Sequence, residues 1–280
     1  MPSDLRWSDL EEFVLDRRRK GFAPNTVHGY AQVLKTLCRL GHRMGYIPED
    51  ITAGFEMPRV PKTIVATFTD EQLQALLGAP DRRSWAGIRD RAILLVLLDT
   101  LIRVSEVAGL DAEDVNLEEG VLLVMGKGGK ERQVPFGTTA AQALRRYRSA
   151  VEDLRPGDPF FITRYGRRMS RWAVHMMITQ HGSAAGIAGV RCSPHTLRHT
   201  GAKRFILAGG DVFTLQKLLS HTTLVMVRRY VELADVNVKA QHQRFSPADS
   251  LLRRPGPRRE GSCADGSRSR GDELRLMRAK

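Results

Sequence analysis

One stretch interrupts an otherwise helical pattern. The apolar runs from Val121 to Met125 and from Gln133 to Phe136 flank Gly126-Lys-Gly-Gly-Lys130, and two short β-forming runs joined by a glycine-rich turn are a hairpin signal. On either side the spacing of apolar residues is helical. Arg89 to Leu101 reads as a strongly apolar, buried helix, Thr138 to Asp153 and Arg171 to Gln180 read as further helices, and nearly everything from Pro194 to Gln243 follows suit. The expected fold class is therefore mainly α with a small antiparallel β-sheet.

The chain before this region divides off from it. Ser8 followed by Glu11 reads as a capping box opening a helix with Leu10, Phe13 and Val14 on one face, ending near Gly21. A second helix is expected from Asn25 or Thr26, with Val27, Tyr30, Val33, Leu34, Leu37 and Leu40 forming one apolar stripe. Its other side carries Lys35, Arg39 and Arg43, which read either as a solvated face or as DNA contacts. Between Met57 and Thr67 the segment MPRVPKTIVAT holds two prolines and little periodicity, as a linker does. Thr69 and Gln72 form another capping box just beyond it. The expected division is a helical unit over 1–57, a linker over 58–66, a larger domain over 67–250 and a basic tail over 251–280, where periodicity vanishes and disorder is expected.

Charge narrows the partners. A formal net charge of +13 concentrates polyanions around the chain, which favours double-stranded DNA. An anionic membrane is the competing surface, but the longest apolar run, Ala92 to Leu98, is too short to span a bilayer. Met1 to Leu10 carries acids and has no apolar segment of the kind a signal peptide needs. Cys38, Cys192 and Cys263 are far apart and show no paired ligand spacing. These observations lead to the expectation of a reduced, cytoplasmic protein without structural zinc.

The stretch from His195 to Tyr230 carries the chemistry. His195-Thr-Leu-Arg198-His199 is followed by Leu219-Ser-His221 and, nine positions later, by Tyr230. Imidazoles and a guanidinium offer hydrogen bonds and positive charge to an oxyanion, and a phenol can attack phosphorus. Taken singly, His195 and Arg198 also read as a basic helix face, and Tyr230 as a packed aromatic. Arg103, at the exit of the apolar helix, needs a partner, and Glu106 stands three residues on. His195 and His199 lack the glutamate of HExxH, and Gly126 to Lys130 lacks P-loop spacing, so neither a zinc site nor a nucleotide loop is expected. His175 and His181 read as solvated, with DNA groove contact as the alternative. Packing accounts for Tyr30, Tyr46, Tyr147 and Tyr165.

Arg103-Val-Ser-Glu106, Gly126-Lys127-Gly128 with Arg132-Gln-Val-Pro135, His195-Thr-Leu-Arg198-His199, Leu218-Leu-Ser-His221 and Tyr230 occur in order. In this the chain resembles the tyrosine recombinases, the phage integrase family, over roughly Thr67 to Pro247, and it is similar to the integrases of mobile elements. The resemblance implies site-specific DNA recombination, acting in integration or transposition, with Tyr230 as nucleophile forming a 3′-phosphotyrosyl link. It implies that Arg103 and Arg198 clamp the nonbridging oxygens, that His195 and His221 add hydrogen bonds, that Lys127 is the general acid, and that Glu106 orients the first arginine. Neither cofactor nor metal is implied. Lys130, Arg132 and Arg171 join Lys35, Arg39 and Arg43 as expected DNA contacts. A homotetramer on paired sites, and accessory bending or directionality proteins, would complete the assembly. A DNA-binding relative without catalysis and a metal-dependent hydrolase are the competing classes. Two positions depart from the pattern: Leu101 and Ser220 stand where the family carries glycine, so either the local turns differ or strain is accepted.

Overall fold

The computed structural model describes residues 5–61, 66–126, 129, 131–151, 153–220, 224, 227, 228, 230, 242, 243 and 246–248. Two compact units are distinguished, residues 1–202 with 218–220 and residues 203–217 with 221–280. In chain order the elements are α1 (Trp7–Arg19), α2 (Pro24–Arg43), α3 (Asp70–Gly78), α4 (Trp85–Thr100), α5 (Val104–Gly109), a 3-10 turn (Ala112–Asp114), β1 (Val115–Asn116), β2 (Val121–Met125), β3 (Glu131–Pro135), α6 (Thr138–Ala150), α7 (Arg171–Ala184), α8 (Pro194–Leu207) and α9 (Val212–Leu219). The fold is mainly α with one small antiparallel sheet.

The hairpin forms as its sequence requires. β2 and β3 pair antiparallel with Val121 opposite Pro135 and Met125 opposite Glu131, so β3 starts two residues before the expected Gln133. A two-residue strand, β1, pairs with the other edge of β2; it is too short to leave an alternating pattern. Leu122, Val124 and Val134 point into the core at 1% exposure or less, following the period of two of a half-buried sheet. The expected site residues Lys127 and Lys130 lie outside the described residues.

Helix α4 is the centre of the larger core. Ile93, Leu94, Val96 and Leu97 are all fully buried, and a helix that is apolar nearly all round has nowhere else to go. It begins four residues before the expected Arg89, because Ser84 caps it: the Ser84 hydroxyl accepts the Gly87 N–H at 3.1 Å. Tyr147 of α6 stacks on Phe161 and meets Phe160 edge to face, and its hydroxyl accepts the Ile162 N–H at 3.1 Å. Asp90 is buried with Arg89 at 2.7 Å and His181 at 3.0 Å, which corrects the expectation of a solvated His181. Packing accounts for Tyr147 but not for Tyr46 and Tyr165, which are exposed. The Thr69–Gln72 capping box forms in both directions, at 3.2 and 3.1 Å.

Helices α1 and α2 surround a separate small core of Leu10, Val14, Val27, Ala31, Cys38, Ile47 and Phe55. Here two local expectations fail. α1 starts at Trp7, and Asp9 rather than Glu11 reaches back, accepting the Arg6 N–H at 2.8 Å. α2 starts at Pro24, suited to a first helical position by its fixed φ, and it carries two apolar lines rather than one. Val27, Ala31 and Cys38 are buried in this core, whereas Tyr30, Val33, Leu37 and Leu40 are 40 to 66% exposed.

In the second unit Gly209, at φ 90, ends α8. The Asp211 carboxylate then opens α9 by accepting the N–H groups of Phe213 and Thr214 at 2.9 Å each. Val227 and Tyr230 are helical and buried. The expected basic tail over 251–280 lies outside the described residues.

At Gly201, α8 lies close against the end of α4: a Cβ there would lie 2.3 Å from the Leu98 carbonyl oxygen and 2.5 Å from Leu101 Cδ2. Backbone cannot step aside as a flexible side chain can. Gly201→Ala is expected to cost about 2 kcal/mol or more by overpacking, read as a lower urea midpoint; an unchanged midpoint would show that the helices are not in this contact.

Candidate functional site

The site starts from two helix ends. α4 stops at Leu101, whose backbone is left-handed with φ 57 and ψ 20. Such a conformation costs a non-glycine residue about 1 to 2 kcal/mol, while burying a leucine contributes about 1.5 to 3 kcal/mol. Leu101 is only 1% exposed and packs on Gly201, so burial outweighs the strain. The second end is Leu219, the last residue of α9, followed by Ser220 at φ 49. Both departures from glycine thus keep the backbone that glycine would favour, and the strain is accepted.

Arg198 joins these two ends. It lies on α8, is 6% exposed, and donates from Nη1 to the Leu101 carbonyl and from Nη2 to the Leu219 carbonyl, the latter at 2.7 Å. A planar guanidinium serves two separate acceptors in fixed geometry, which an ammonium does not. α8 itself is anchored at its start, where the Ser193 hydroxyl accepts the Thr196 N–H at 3.2 Å. Further along, Thr200 accepts the Phe68 N–H at 3.0 Å. His195, one turn before Arg198, is exposed.

Two residues beyond Leu101, Arg103 caps α5. Glu106 Oε2 accepts the Arg103 N–H at 2.7 Å, and Oε1 accepts from Arg103 Nη1 at 3.1 Å. Arg132 on β3 grips the same carboxylate with both Nη atoms at 3.1 Å. This is a bidentate pair, the stronger form of charge-assisted bond. Burial alone would raise the Glu106 pKa, but the bonds from Arg132 and the Arg103 N–H, with both positive charges, hold it below the usual glutamate range. Arg132, expected at DNA, is therefore engaged by Glu106. The expected pairing of Arg103 with Glu106 is present.

The remaining expected site residues are placed as follows. Lys35 donates to the Phe55 carbonyl at 3.2 Å and Arg39 to the Thr52 hydroxyl at 3.1 Å, so both fasten the loop after α2. Arg43 and Arg171 are exposed, at the end of α2 and the start of α7. Tyr230 belongs to the second unit and is 3% exposed; His221 lies outside the described residues. Sequence reasoning missed the Leu101 and Leu219 carbonyls, and the two non-glycine residues at Leu101 and Ser220 were the signal that pointed there. Among the described residues no group of three or more His, Cys, Asp or Glu is placed to hold a metal ion, and no helix is long and apolar enough to cross a membrane.

The domain is helical with one small sheet, Arg103 caps α5 and Arg198 reaches from α8 to the end of α4 beside it; the chain belongs to the phage integrase family, whose pattern matches residues 66–236. It is a tyrosine-type site-specific recombinase that acts on DNA. It is 37% identical over 235 residues to the tyrosine recombinase XerD of Pseudomonas aeruginosa, covering 82% of this chain and 78% of that one. To XerD of Haemophilus influenzae it is 30% identical, covering 85% and 82%. In fold it is similar to the Tn1549 transposon integrase in complex with a circular intermediate DNA, with TM-score 0.70, 19% identity and 87% and 86% of the chains covered. It is also similar to a lambda integrase dimer bound to a core site, with TM-score 0.64, 18% identity and 81% and 80% covered.

Two outcomes follow from the site's energetics. Ser220 Oγ is buried without a hydrogen-bond partner among the described residues, and its backbone is strained, so Ser220→Gly is expected to stabilise the protein by about 1 kcal/mol. A thermal midpoint equal to or below the parent's would contradict this. The depressed pKa of Glu106 means that its contribution is full above the ordinary glutamate value, near ~4.3, and is lost as pH falls through its lower folded value. The stability gap between the parent and Glu106→Gln is therefore expected to be several kcal/mol at pH 7 and to shrink on acidification below about pH 4. A gap constant from pH 7 to 3 would rule out the ionised pairing.

Proposed function

We propose that Tyr230 attacks the scissile phosphate. Its oxygen bonds to phosphorus as its proton passes to an imidazole, His195 or His221, the 5′-oxygen departs with a proton supplied by Lys127, and a 3′-phosphotyrosyl link retains the energy of the broken bond. Attack by a 5′-hydroxyl of another strand reverses these changes and releases the tyrosine, so neither ATP nor a metal enters the balance. Arg103 and Arg198 neutralise the nonbridging oxygens by the planar fork that suits phosphate. His195 and His221 add hydrogen bonds, and Glu106 positions Arg103. The observation that carries this reading is the Arg198 bond to the carbonyl of Leu101, two residues before Arg103, which puts the second arginine at the corner from which the first one projects.

The same proposal extends to the assembly. Residues 1–57 and 67–250 act as two domains clamped on opposite faces of the duplex, joined through 58–66, with four protomers on two DNA sites. The segment from Asp235 to Phe245 serves the exchange between neighbours, and accessory proteins bias direction. The work is integration or transposition, in the cytoplasm, on nucleoid DNA. The basic charge of the chain and the exposed Arg43 and Arg171 support contact with the DNA backbone.

A nicked suicide duplex with EDTA present separates the readings. A covalent protein–DNA adduct is expected from the parent chain. Tyr230→Phe is expected to lose the adduct entirely while binding within about threefold of the parent. Retained binding without any parental adduct would assign the chain to DNA binding alone, and EDTA-sensitive cleavage without adduct would assign it to metal-dependent hydrolysis.

A further inference from the structure

Away from Arg103 and Arg198, α4, α6 and the turn before α4 line a half-open cavity of about 180 Å³. Its walls include three arginines, Arg82, Arg91 and Arg146, together with the apolar Ile88, Leu95 and Ala143. Among the described residues no carboxylate forms an ion pair with any of the three guanidiniums. Arg91 donates to the Leu77 carbonyl, and Arg146 donates to the Arg82 carbonyl at 2.7 Å. These bonds fix the side chains but supply only partial negative charge, and each occupies one of five donors. Burial, followed by repulsion from Arg82 and Arg146, makes Arg91 easier to deprotonate than an ordinary arginine. Three like charges gathered around a concave, partly apolar wall raise each other's energy, and a bound anion relieves all three at once.

The number of charges selects the ligand. A single carboxylate offsets one guanidinium of three, whereas a phosphate group bearing about 1.5 to 2 negative charges at pH 7 offsets two and presents oxygens to several forks together. We infer that the α4–α6 cavity is a second oxyanion site, separate from the strand-transfer site, and that it takes a compact phosphate group carrying two or more charges. That group comes either from a free phosphate compound or from a terminal phosphomonoester of DNA, because a phosphodiester within a strand carries one charge only.

The test uses the full chain and sodium pyrophosphate as probe, titrated calorimetrically at constant ionic strength with chloride as the balancing anion. Saturable binding is expected in the parent, weakened at least tenfold in Arg82→Gln and in Arg146→Gln and retained in Arg103→Gln. Among the described residues the Arg82 side chain makes no hydrogen bond, so Arg82→Gln removes charge without removing a structural contact; equal unfolding midpoints confirm that. No saturable binding, or binding that survives Arg82→Gln, overturns the inference. Anisotropy of a labelled duplex bearing 5′-terminal phosphates then identifies the source. If pyrophosphate displaces the duplex in an Arg82-dependent way, the site serves DNA. If duplex and pyrophosphate bind together, it serves a free phosphate compound.

Discussion

The guanidinium of Arg198 sits where α4 and α9 end, and its bonds to the carbonyls of Leu101 and Leu219 close both ends at once. The last carbonyls of a helix have no partner within it, and burial makes an unpartnered one costly. One cation answers both needs, and the two chain segments leave it in fixed directions. Arg103 projects from the first of these corners. The position of the site therefore rests on a contact between one side chain and the backbone.

The strain at Leu101 and Ser220 belongs to the same construction. A left-handed residue turns the chain sharply after a helix, which brings its own carbonyl at Leu101, and the preceding one at Leu219, within reach of Arg198 and starts the next segment at a wide angle. Leucine offsets its strain at Leu101 because it fills the space against Gly201. Serine at 220 has no such offset, since its hydroxyl is buried without a hydrogen bond among the described residues. The two substitutions are alike in sequence and different in energetics.

Around Arg103 the charges are deliberately unequal. One carboxylate, Glu106, faces two guanidiniums, Arg103 and Arg132, so the cluster keeps an excess of positive charge after its internal pairing. Arg103 retains 38% side-chain exposure while Arg132 has 19%. Arg132 thus acts as the inner counter-charge and Arg103 as the outward one. The buried carboxylate keeps Arg103 oriented without cancelling it, the electrostatic condition for receiving a phosphate.

Much of the fold was legible because it rests on local chemistry. The hairpin from Val121 to Pro135, the Thr69–Gln72 capping box and the buried α4 each follow from residues within a few positions of one another. The α2 stripe was misread for the opposite reason. Its 3,4 spacing identified apolar residues but could not say that the small core would bury Val27, Ala31 and Cys38 and leave Tyr30, Val33, Leu37 and Leu40 exposed. Likewise Lys35, Arg39 and Arg132 read as free cations until their partners, at sequence separations of 13 to 26, were in place.

By itself the sequence determined the fold class, the family and which side chains are chemically fit for phosphoryl transfer, because motifs in order and local periodicity survive without coordinates. Only the tertiary structure decided that Arg198 bridges two carbonyls, that Arg132 serves Glu106, and that three arginines from α4, α6 and the turn before α4 converge on one cavity. Those pairings join residues distant in the chain. Their energy depends on burial and angle, which spacing along a sequence does not contain.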